Sequence, residues 1–403
     1  MVCFEDQYFN LNRSLLLVIG LWPYEQTNLA RLRFIFFCVN LMSLIIFQLT
    51  VFVTSRCTPD VIITVLSVVF LVVIVKMQYI LFSVNIKIKL LFCKIKQLLV
   101  QFRNIYGKLK DENEIAIAEK YNYKARRYTA TFIMIAICSI FILIIAQTWM
   151  DICDIVLQIN TSRSHNLILM TEYFVDQEKY YYVMLLHINI TASIAVFILV
   201  AIGTMFITFL QYIYGLFKIA SYRMEHSLDM DTLNNSMKDV NLVSKKIICA
   251  IVLQRQAMNL PKFLVNKLES MMFFLILFGV TSLSLNLFRA FQIASLGNNI
   301  TEIIPHLIYA FAIISYMFVA NYLGQNLTDY SKEVFFAAYN IQWYLTPIPI
   351  QKLILFLLQR GVIDFNVNVG RLFIPSLEGF TMVKKSVIKY ILNSTLHTEN
   401  NKE

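Results

Sequence analysis

Six stretches of the chain are apolar over the ~20 residues that an α-helix needs to cross a bilayer. The fourth stretch is longer than a bilayer requires, and we expect its helix to continue beyond the membrane. The pattern therefore predicts an all-α membrane protein. The six stretches are 34–54, 61–85, 129–149, 183–213, 271–291 and 303–323.

Composition supports a membrane protein and excludes other classes. The 403 residues are 58% hydrophobic and only 15% charged, whereas a soluble domain has about 25% charged residues. The net charge of +10 indicates basic cytoplasmic loops, so no nucleic-acid partner is expected. The seven cysteines form no CxxC pair, which disfavours a zinc site or a disulfide framework. The chain lacks H-E-x-x-H, G-x-S-x-G and a glycine-rich phosphate loop, so we expect no enzyme, metal or cofactor.

The charges of the loops predict the orientation of the helices. Residues 86–128 hold 11 Lys/Arg against 4 Asp/Glu, and residues 214–270 hold 8 against 5. Residues 150–182 hold 2 against 5, and residues 292–302 hold no basic residue. Because basic loops stay in the cytoplasm, the first two loops and the N-terminal segment 1–33 are expected inside, with the other two loops outside.

Two glycosylation sequons agree with this orientation. Those at Asn160 and Asn299 fall in the predicted outer loops, although sequons also occur elsewhere in the chain, and the one at Asn326 falls inside. Cys57 and Cys153 would both lie at the outer side, where a disulfide between them is one option and two free thiols the other.

Residues 324–376 predict helices rather than one loop. Thr328 or Ser331 is expected to cap one helix, and the prolines that follow it to break that helix. Pro349 suits the first turn of a second helix, which should end at Gly361. These helices either build a packed cytoplasmic domain with the two basic loops or lie separately on the membrane surface.

The stretch "FTMVKKSVIKYILNST", residues 380–395, is long enough to cross a bilayer but carries three lysines. Each lysine would cost ~2.5–3.5 kcal/mol at the bilayer centre, so this is not a lipid-exposed span. It is either an isolated surface helix or a helix with one face on water. Its apolar face holds Val383, Val387, Ile388 and Ile391, and its polar face Lys385, Lys389 and Asn393.

Three segments resemble the signatures of insect odorant receptors. "NYLGQNLTDYSKEVFFAAYNIQWY" is similar to the junction of the sixth and seventh helices in that family, with matches at Gly324, Ser331, Ala338, Tyr339 and Trp343. "SLEGFTMVKKSVIKY" resembles the closing segment, with matches at Ser376, Leu377, Phe380 and Tyr390. The opening "NRSLLLVIGLWP", residues 12–23, resembles the form found in ants, bees and wasps.

The resemblance implies seven transmembrane helices with the N-terminus inside and the C-terminus outside. It implies an odour-tuning subunit of a ligand-gated, non-selective cation channel in the plasma membrane of olfactory dendrites. Such a subunit assembles with a shared co-receptor into a tetramer and binds a volatile odorant. The implied parts are helices 1–6 with the pocket (34–323), a cytoplasmic anchor region (324–376), a pore-lining helix (377–396) and an outer tail (397–403).

The resemblance also places the pocket in the outer half of the second to sixth helices. A pocket for a volatile odorant should be apolar and aromatic with few polar groups. The derived topology then selects eleven candidates. For each of them the alternative role is packing between helices, and for His187 it is a hydrogen bond to a neighbouring helix. They are Phe70, Val73, Ile142, Ile145, Trp149, Met184, His187, Ile188, Phe288, Tyr309 and Ile313.

In the pore helix, the resemblance puts the outer gate near Asn393, Thr395 and Leu396. Lys389 and Asn393 depart from the family pattern, which often has Ser or Thr at the position of Lys389. A lysine beside a cation path repels cations, so Lys389 should point away from the narrowest point or lower conductance. Tyr339 and Trp343 are the expected anchors between subunits.

Two other receptor classes remain as alternatives. A G-protein-coupled receptor has seven helices but the opposite orientation, and the chain lacks its D-R-Y and N-P-x-x-Y motifs. A transporter usually shows repeated halves with broken helices, which the sequence does not display.

Overall fold

The computed structural model describes residues 9–22, 27–87, 103–109, 111–156, 169–228, 239–295, 300–361 and 374–386, and the single positions 25, 100, 167, 365 and 389. Some helical side chains, including those of Trp149 and Cys153, are outside the described part. The regular structure of the described residues is helical. The helices are α1 (Asn10–Val18), α2 (Asn28–Leu49), α3 (Val51–Thr54), α4 (Pro59–Lys87), α5 (Glu112–Val156), α6 (Gln177–Glu225), α7 (Asp239–Ser295), α8 (Ile300–Asn340), α9 (Ile348–Gly361) and α10 (377–386).

Five of the six predicted spans each lie within one long helix, and the first, 34–54, covers part of α2 and all of α3. Six helical stretches are long and apolar enough to cross a membrane. They belong to α2 with α3, α4, α5, α6, α7 and α8. The over-long fourth stretch is part of α6, which has 49 residues. The sequence pattern therefore located the membrane helices correctly, with helix ends that extend past the predicted spans.

The centre of the bundle is formed by α6, against which α5, α7 and α8 all pack, while α4 packs along α7. Many α6 side chains, such as those of Tyr212, Phe217 and Met205, are almost fully buried. This burial explains why α6 is apolar on most of its circumference: a helix surrounded by other helices needs no polar face.

The N-terminal segment is inserted into the bundle at the predicted inner side. Phe9 is fully buried, and its ring centroid lies 5.8 Å from that of Phe209. Asn12 Nδ2 donates to Thr208 Oγ1 at 2.6 Å, and the Tyr79 hydroxyl donates to the Ile19 carbonyl at 2.6 Å. These contacts fix α1 against α6 and α4.

Four helices pack together past the ends of the predicted spans, at the predicted inner side. Side chains from the end of α6, the start of α7, the end of α8 and α9 share one buried cluster. Its members include Met224, Ile247, Ala338, Ile341, Ile350 and Ile354. The chain thus builds a packed helical region below the spans, in which α9 begins near its prolines and ends at Gly361 as predicted.

The predicted helix start at Thr328 or Ser331 is wrong, because α8 is continuous from Ile300 to Asn340. Instead of capping a helix, the Thr328 hydroxyl donates to the Phe365 carbonyl at 3.1 Å. A serine or threonine inside a helix resembles a cap in sequence, and only the partner of its side chain distinguishes the two.

Candidate functional site

Candidate pocket residues on α4 lie against α7. The Phe70 ring stacks on Phe278, with ring centroids 5.7 Å apart, and Phe278 in turn stacks on Phe274 at 6.1 Å. Val73 is half-buried and packs against the main hydrophobic core. These contacts show an aromatic face between α4 and α7. Val73, on the same helix as Phe70, packs against the core.

One of the candidates on α7 and α8 belongs to a small apolar cluster that these two helices share. Ile313 is 8% exposed and belongs to this cluster with Leu283 and Ala310. Phe288 and Tyr309 are half-buried. Leu71 of α4 packs on the same cluster. Three helices thus contribute apolar side chains to one region, as a pocket for a small apolar ligand requires.

His187 of α6 has a protein partner at each ring nitrogen. Nε2 lies 2.9 Å from Ser43 Oγ, and Nδ1 lies 2.8 Å from the Tyr173 hydroxyl. Ser43 donates its single hydroxyl proton to the Asn40 carbonyl at 2.8 Å, so it must accept from His187. Nε2 therefore carries the proton and Nδ1 accepts from Tyr173. Of the two readings of His187, this geometry favours a bond between neighbouring elements over a ligand contact.

The segment before α6 is attached to the predicted outer end of α2 beside this histidine. The Tyr173 ring stacks on Phe47 with centroids 4.2 Å apart. The Glu172 amide donates to the Phe47 carbonyl at 2.8 Å, and the Thr50 hydroxyl donates to the Glu172 carbonyl at 2.8 Å. Burial raises the pKa of Tyr173 to about 12, so this hydroxyl keeps its proton as a donor.

The remaining candidates divide between buried and exposed positions. Met184 and Ile188 of α6 are 4% and 2% exposed. Ile142 and Ile145 of α5 are 64% and 50% exposed and point away from the bundle. The structure does not bring these two isoleucines together with the other candidates, and Trp149 lies outside the described side chains.

A polar network that sequence reasoning missed joins the predicted outer ends of α4, α7 and α8. Arg289 Nη1 lies 3.1 Å from Asp60 Oδ1 and donates to Gln292 Oε1 at 3.1 Å. One turn deeper, His306 Nδ1 lies 3.1 Å from Asn286 Oδ1. An ionisable residue inside a membrane span is costly and therefore marks a candidate functional site. Arg289 in the predicted span 271–291 was such a signal.

The junction between α8 and α10 is closely packed. Ser376 donates its backbone N–H to Asn321 Oδ1 at 3.1 Å, and the Phe318 and Phe380 rings meet edge to face at 5.7 Å. Gly324 lies against Pro375, where a side-chain carbon on the glycine would come within 2.4 Å of the proline ring. The glycine allows the start of α10 to cross α8 closely.

Of the predicted pore residues, Lys389 is described, and its side chain is exposed. Asn393, Thr395 and Leu396 lie outside the described residues, as do both outer sequons at Asn160 and Asn299.

The two predicted subunit anchors occupy different environments. Tyr339 is 66% exposed, whereas Trp343 is half-buried against the inner helical cluster. Tyr339 belongs to a group of exposed apolar side chains from the end of α8, the turn that follows it and α9, which we call the inner apolar surface. Its other members are Phe336, Tyr344, Leu345, Ile348 and Phe356, each at least 56% exposed.

Comparison with known proteins supports the expected family. The profile of the 7tm odorant receptor family matches residues 70–388. The fold is similar to that of the insect olfactory receptor OR5 from Machilis hrabei in complex with eugenol, with a TM-score of 0.71 over 96% of this chain and 98% of that chain, at 12% identity. A second structure of that receptor gives a TM-score of 0.70 with the same coverage and identity. No match was found among curated proteins. With a family match over most of its length and the seven-helix fold of an insect olfactory receptor, the chain belongs to the 7tm odorant receptor family.

Proposed function

We propose that this chain is the odour-tuning subunit of an odorant-gated, non-selective cation channel that assembles with a shared co-receptor. The observation that carries the assembly is the inner apolar surface. Phe356, Ile348 and Tyr339 are 72%, 66% and 66% exposed in a region that lies below the predicted spans. A group of exposed apolar side chains below the predicted spans is the kind of surface that binds another protein.

The odorant is expected among the outer parts of α4, α6, α7 and α8. This region combines the aromatic face around Phe70 with the cluster around Ile313, and both are apolar. The OR5 structure of Machilis hrabei was solved with eugenol, a small aromatic molecule, which supports a small volatile ligand for this chain. Ile142, Ile145 and Trp149 of α5 remain candidates for the same pocket.

The proposed ion path follows the polar face of the last helix. Lys384, Lys385 and Lys389 are all exposed, which is compatible with a helix whose one face meets water. The close junction between α8 and this helix gives a short mechanical route from the pocket to the pore. The inside N-terminus, the outside C-terminus and a location in the dendrites of olfactory neurons belong to the same proposal.

Co-expression with the co-receptor tests the function. We expect odour-evoked cation current in cells that carry both subunits. Only some of the odorants in a broad panel should evoke it. The proposal fails if a broad odorant panel evokes no current although both proteins are at the cell surface. A tag on the N-terminus should be labelled only after permeabilisation, and labelling of intact cells would contradict the orientation.

A further inference from the structure

The Arg289 guanidinium is engaged by protein at Nη1, whereas its buried Nε has no hydrogen-bond partner among the described residues. In the described part of the chain, its hydrogen bond and ion pair both use Nη1, which faces Gln292 and Asp60. Nε is buried and has no hydrogen-bond partner. The Nε–Nη2 edge is the fork with which an arginine binds a planar acceptor group.

The unpaired Nε lies in an environment where a donor without a partner is costly. The Arg289 side chain is only 14% exposed. A buried polar group without a partner loses its hydration and gains nothing in return. The geometry therefore favours an acceptor oxygen that reaches Nε from the interior.

The neighbouring polar groups do not supply that oxygen, because they are engaged with one another. Asn286 donates from Nδ2 to the Ser282 carbonyl at 2.8 Å, and its Oδ1 accepts from His306 Nδ1 at 3.1 Å. Ser282 Oγ donates to the Ser67 carbonyl at 2.9 Å. The network thus leaves Arg289 as the group that can bind a further acceptor.

Charge decides which acceptor fits. The Asp60 carboxylate lies 3.1 Å from Nη1 and already balances the guanidinium charge. A second carboxylate would place another negative charge beside the Asp60 carboxylate, and the two like charges would repel each other. A neutral carbonyl oxygen accepts the same hydrogen bond without that cost.

The surroundings suit the rest of such a ligand. One or two turns deeper, Leu283, Ala310 and Ile313 form an apolar cluster on the same helices, with Leu287 packed against it. A site with one placed polar group above an apolar region is typical of small-molecule binding.

We propose that the Nε–Nη2 edge of Arg289 binds the carbonyl oxygen of the odorant and gives this receptor a preference for aldehydes, ketones and esters over hydrocarbons of equal size. The proposal rests on the proposed odorant-receptor function and adds the chemical class of the ligand. Arg289 is then a specificity-determining residue, and the Asp60 carboxylate balances its positive charge.

The test compares the full chain, co-expressed with the co-receptor, with its Arg289→Lys variant. Lysine keeps the positive charge opposite Asp60 but has no fork. The probes are 2-heptanone, heptanal and pentyl acetate, with n-octane and limonene as hydrocarbons. We expect Arg289→Lys to lower the sensitivity to the carbonyl probes by about 10- to 100-fold, the range of one hydrogen bond to a charged group, with hydrocarbon responses unchanged. Arg255→Lys, at an exposed position near the inner end of α7, is the matched control and should change neither.

A second variant decides the case if Arg289→Lys does not reach the cell surface. Asp60→Asn keeps the arginine and removes the balancing charge, so heptanoate should gain sensitivity relative to 2-heptanone. The proposal is overturned if Arg289→Lys loses equal sensitivity to carbonyl probes and hydrocarbons, or if it keeps the carbonyl preference unchanged. It is also overturned if Asp60→Asn shows no gain for heptanoate, or if the wild type responds only to other odorants. Absence of any odour-evoked current at normal surface level would instead refute the proposed function.

Discussion

Arg223 of α6 donates two parallel hydrogen bonds to Glu114 of α5, with Nε 2.5 Å from Oε1 and Nη2 2.7 Å from Oε2. The Glu114 side chain is 8% exposed and that of Arg223 is 27% exposed. The pair joins α5 and α6 at their predicted inner ends. Arg223→Ala would leave a buried carboxylate without its partner, and we expect the free energy of unfolding to fall by about 3–5 kcal/mol.

Thermal unfolding of the purified receptor in detergent measures this loss. The matched control is the ion pair between Lys218 and Glu333, whose side chains are 43% and 41% exposed. Lys218→Ala should cost less than about 1 kcal/mol, because water screens an exposed pair. Equal losses in the two variants would show that the Glu114 environment is not as dry as its burial indicates.

Gly324→Ala should disturb the junction between α8 and α10. The new methyl group would lie 2.4 Å from the Pro375 ring and 2.5 Å from its carbonyl oxygen. Neither group can rotate away, so the two segments must separate, at a cost of about 1–3 kcal/mol. We expect a lower unfolding temperature and a smaller odour-evoked current per receptor at the cell surface.

Gly279→Ala is the control for this substitution. Gly279 is also helical, but nothing lies within 4 Å of a side-chain carbon built there. Alanine is the better helix former, so stability should stay the same or rise. If Gly324→Ala were equally well tolerated, the close approach of Pro375 would have no role in the fold.

Substitutions at Tyr339 and Trp343 should separate assembly from folding. Tyr339→Ala removes an exposed ring and should change chain stability by no more than about 0.5 kcal/mol, yet reduce the amount of co-receptor that co-purifies. Trp343→Ala removes a ring packed against the inner cluster and should cost about 2 kcal/mol. Normal co-receptor recovery with Tyr339→Ala would exclude this tyrosine from the interface.

Lys389→Ser should raise the single-channel cation conductance of the assembled channel. Lys389 is exposed on the last helix, and a positive charge beside a cation path repels the ions that pass. Lys384→Ser, nearer the predicted inner end, should have a smaller effect because its charge is more easily hydrated. Unchanged conductance and selectivity in Lys389→Ser would make a pore-facing lysine untenable.

Individual residues show where sequence reasoning succeeded and where it stopped. The spans were located because an apolar run of bilayer length needs no knowledge of its neighbours. The helix start at Thr328 was wrong, because a hydroxyl that bonds a distant carbonyl looks like a cap in the sequence. His187 had two open roles until its partners, Ser43 and Tyr173, were known from segments 144 and 14 residues away.

The sequence by itself determined the all-helical membrane class, the positions of six spans, the family resemblance and the expected orientation. These follow from local hydrophobicity and charge, because the preference of each residue for lipid or water does not depend on distant parts of the chain. The tertiary structure decided which side chains face each other: the continuous α8, the insertion of α1, the network around Arg289 and the outward direction of Ile142 and Ile145. Such contacts depend on how helices distant in the chain rotate and pack against one another, and apolarity alone does not distinguish the faces of a helix whose neighbours and solvent are both apolar.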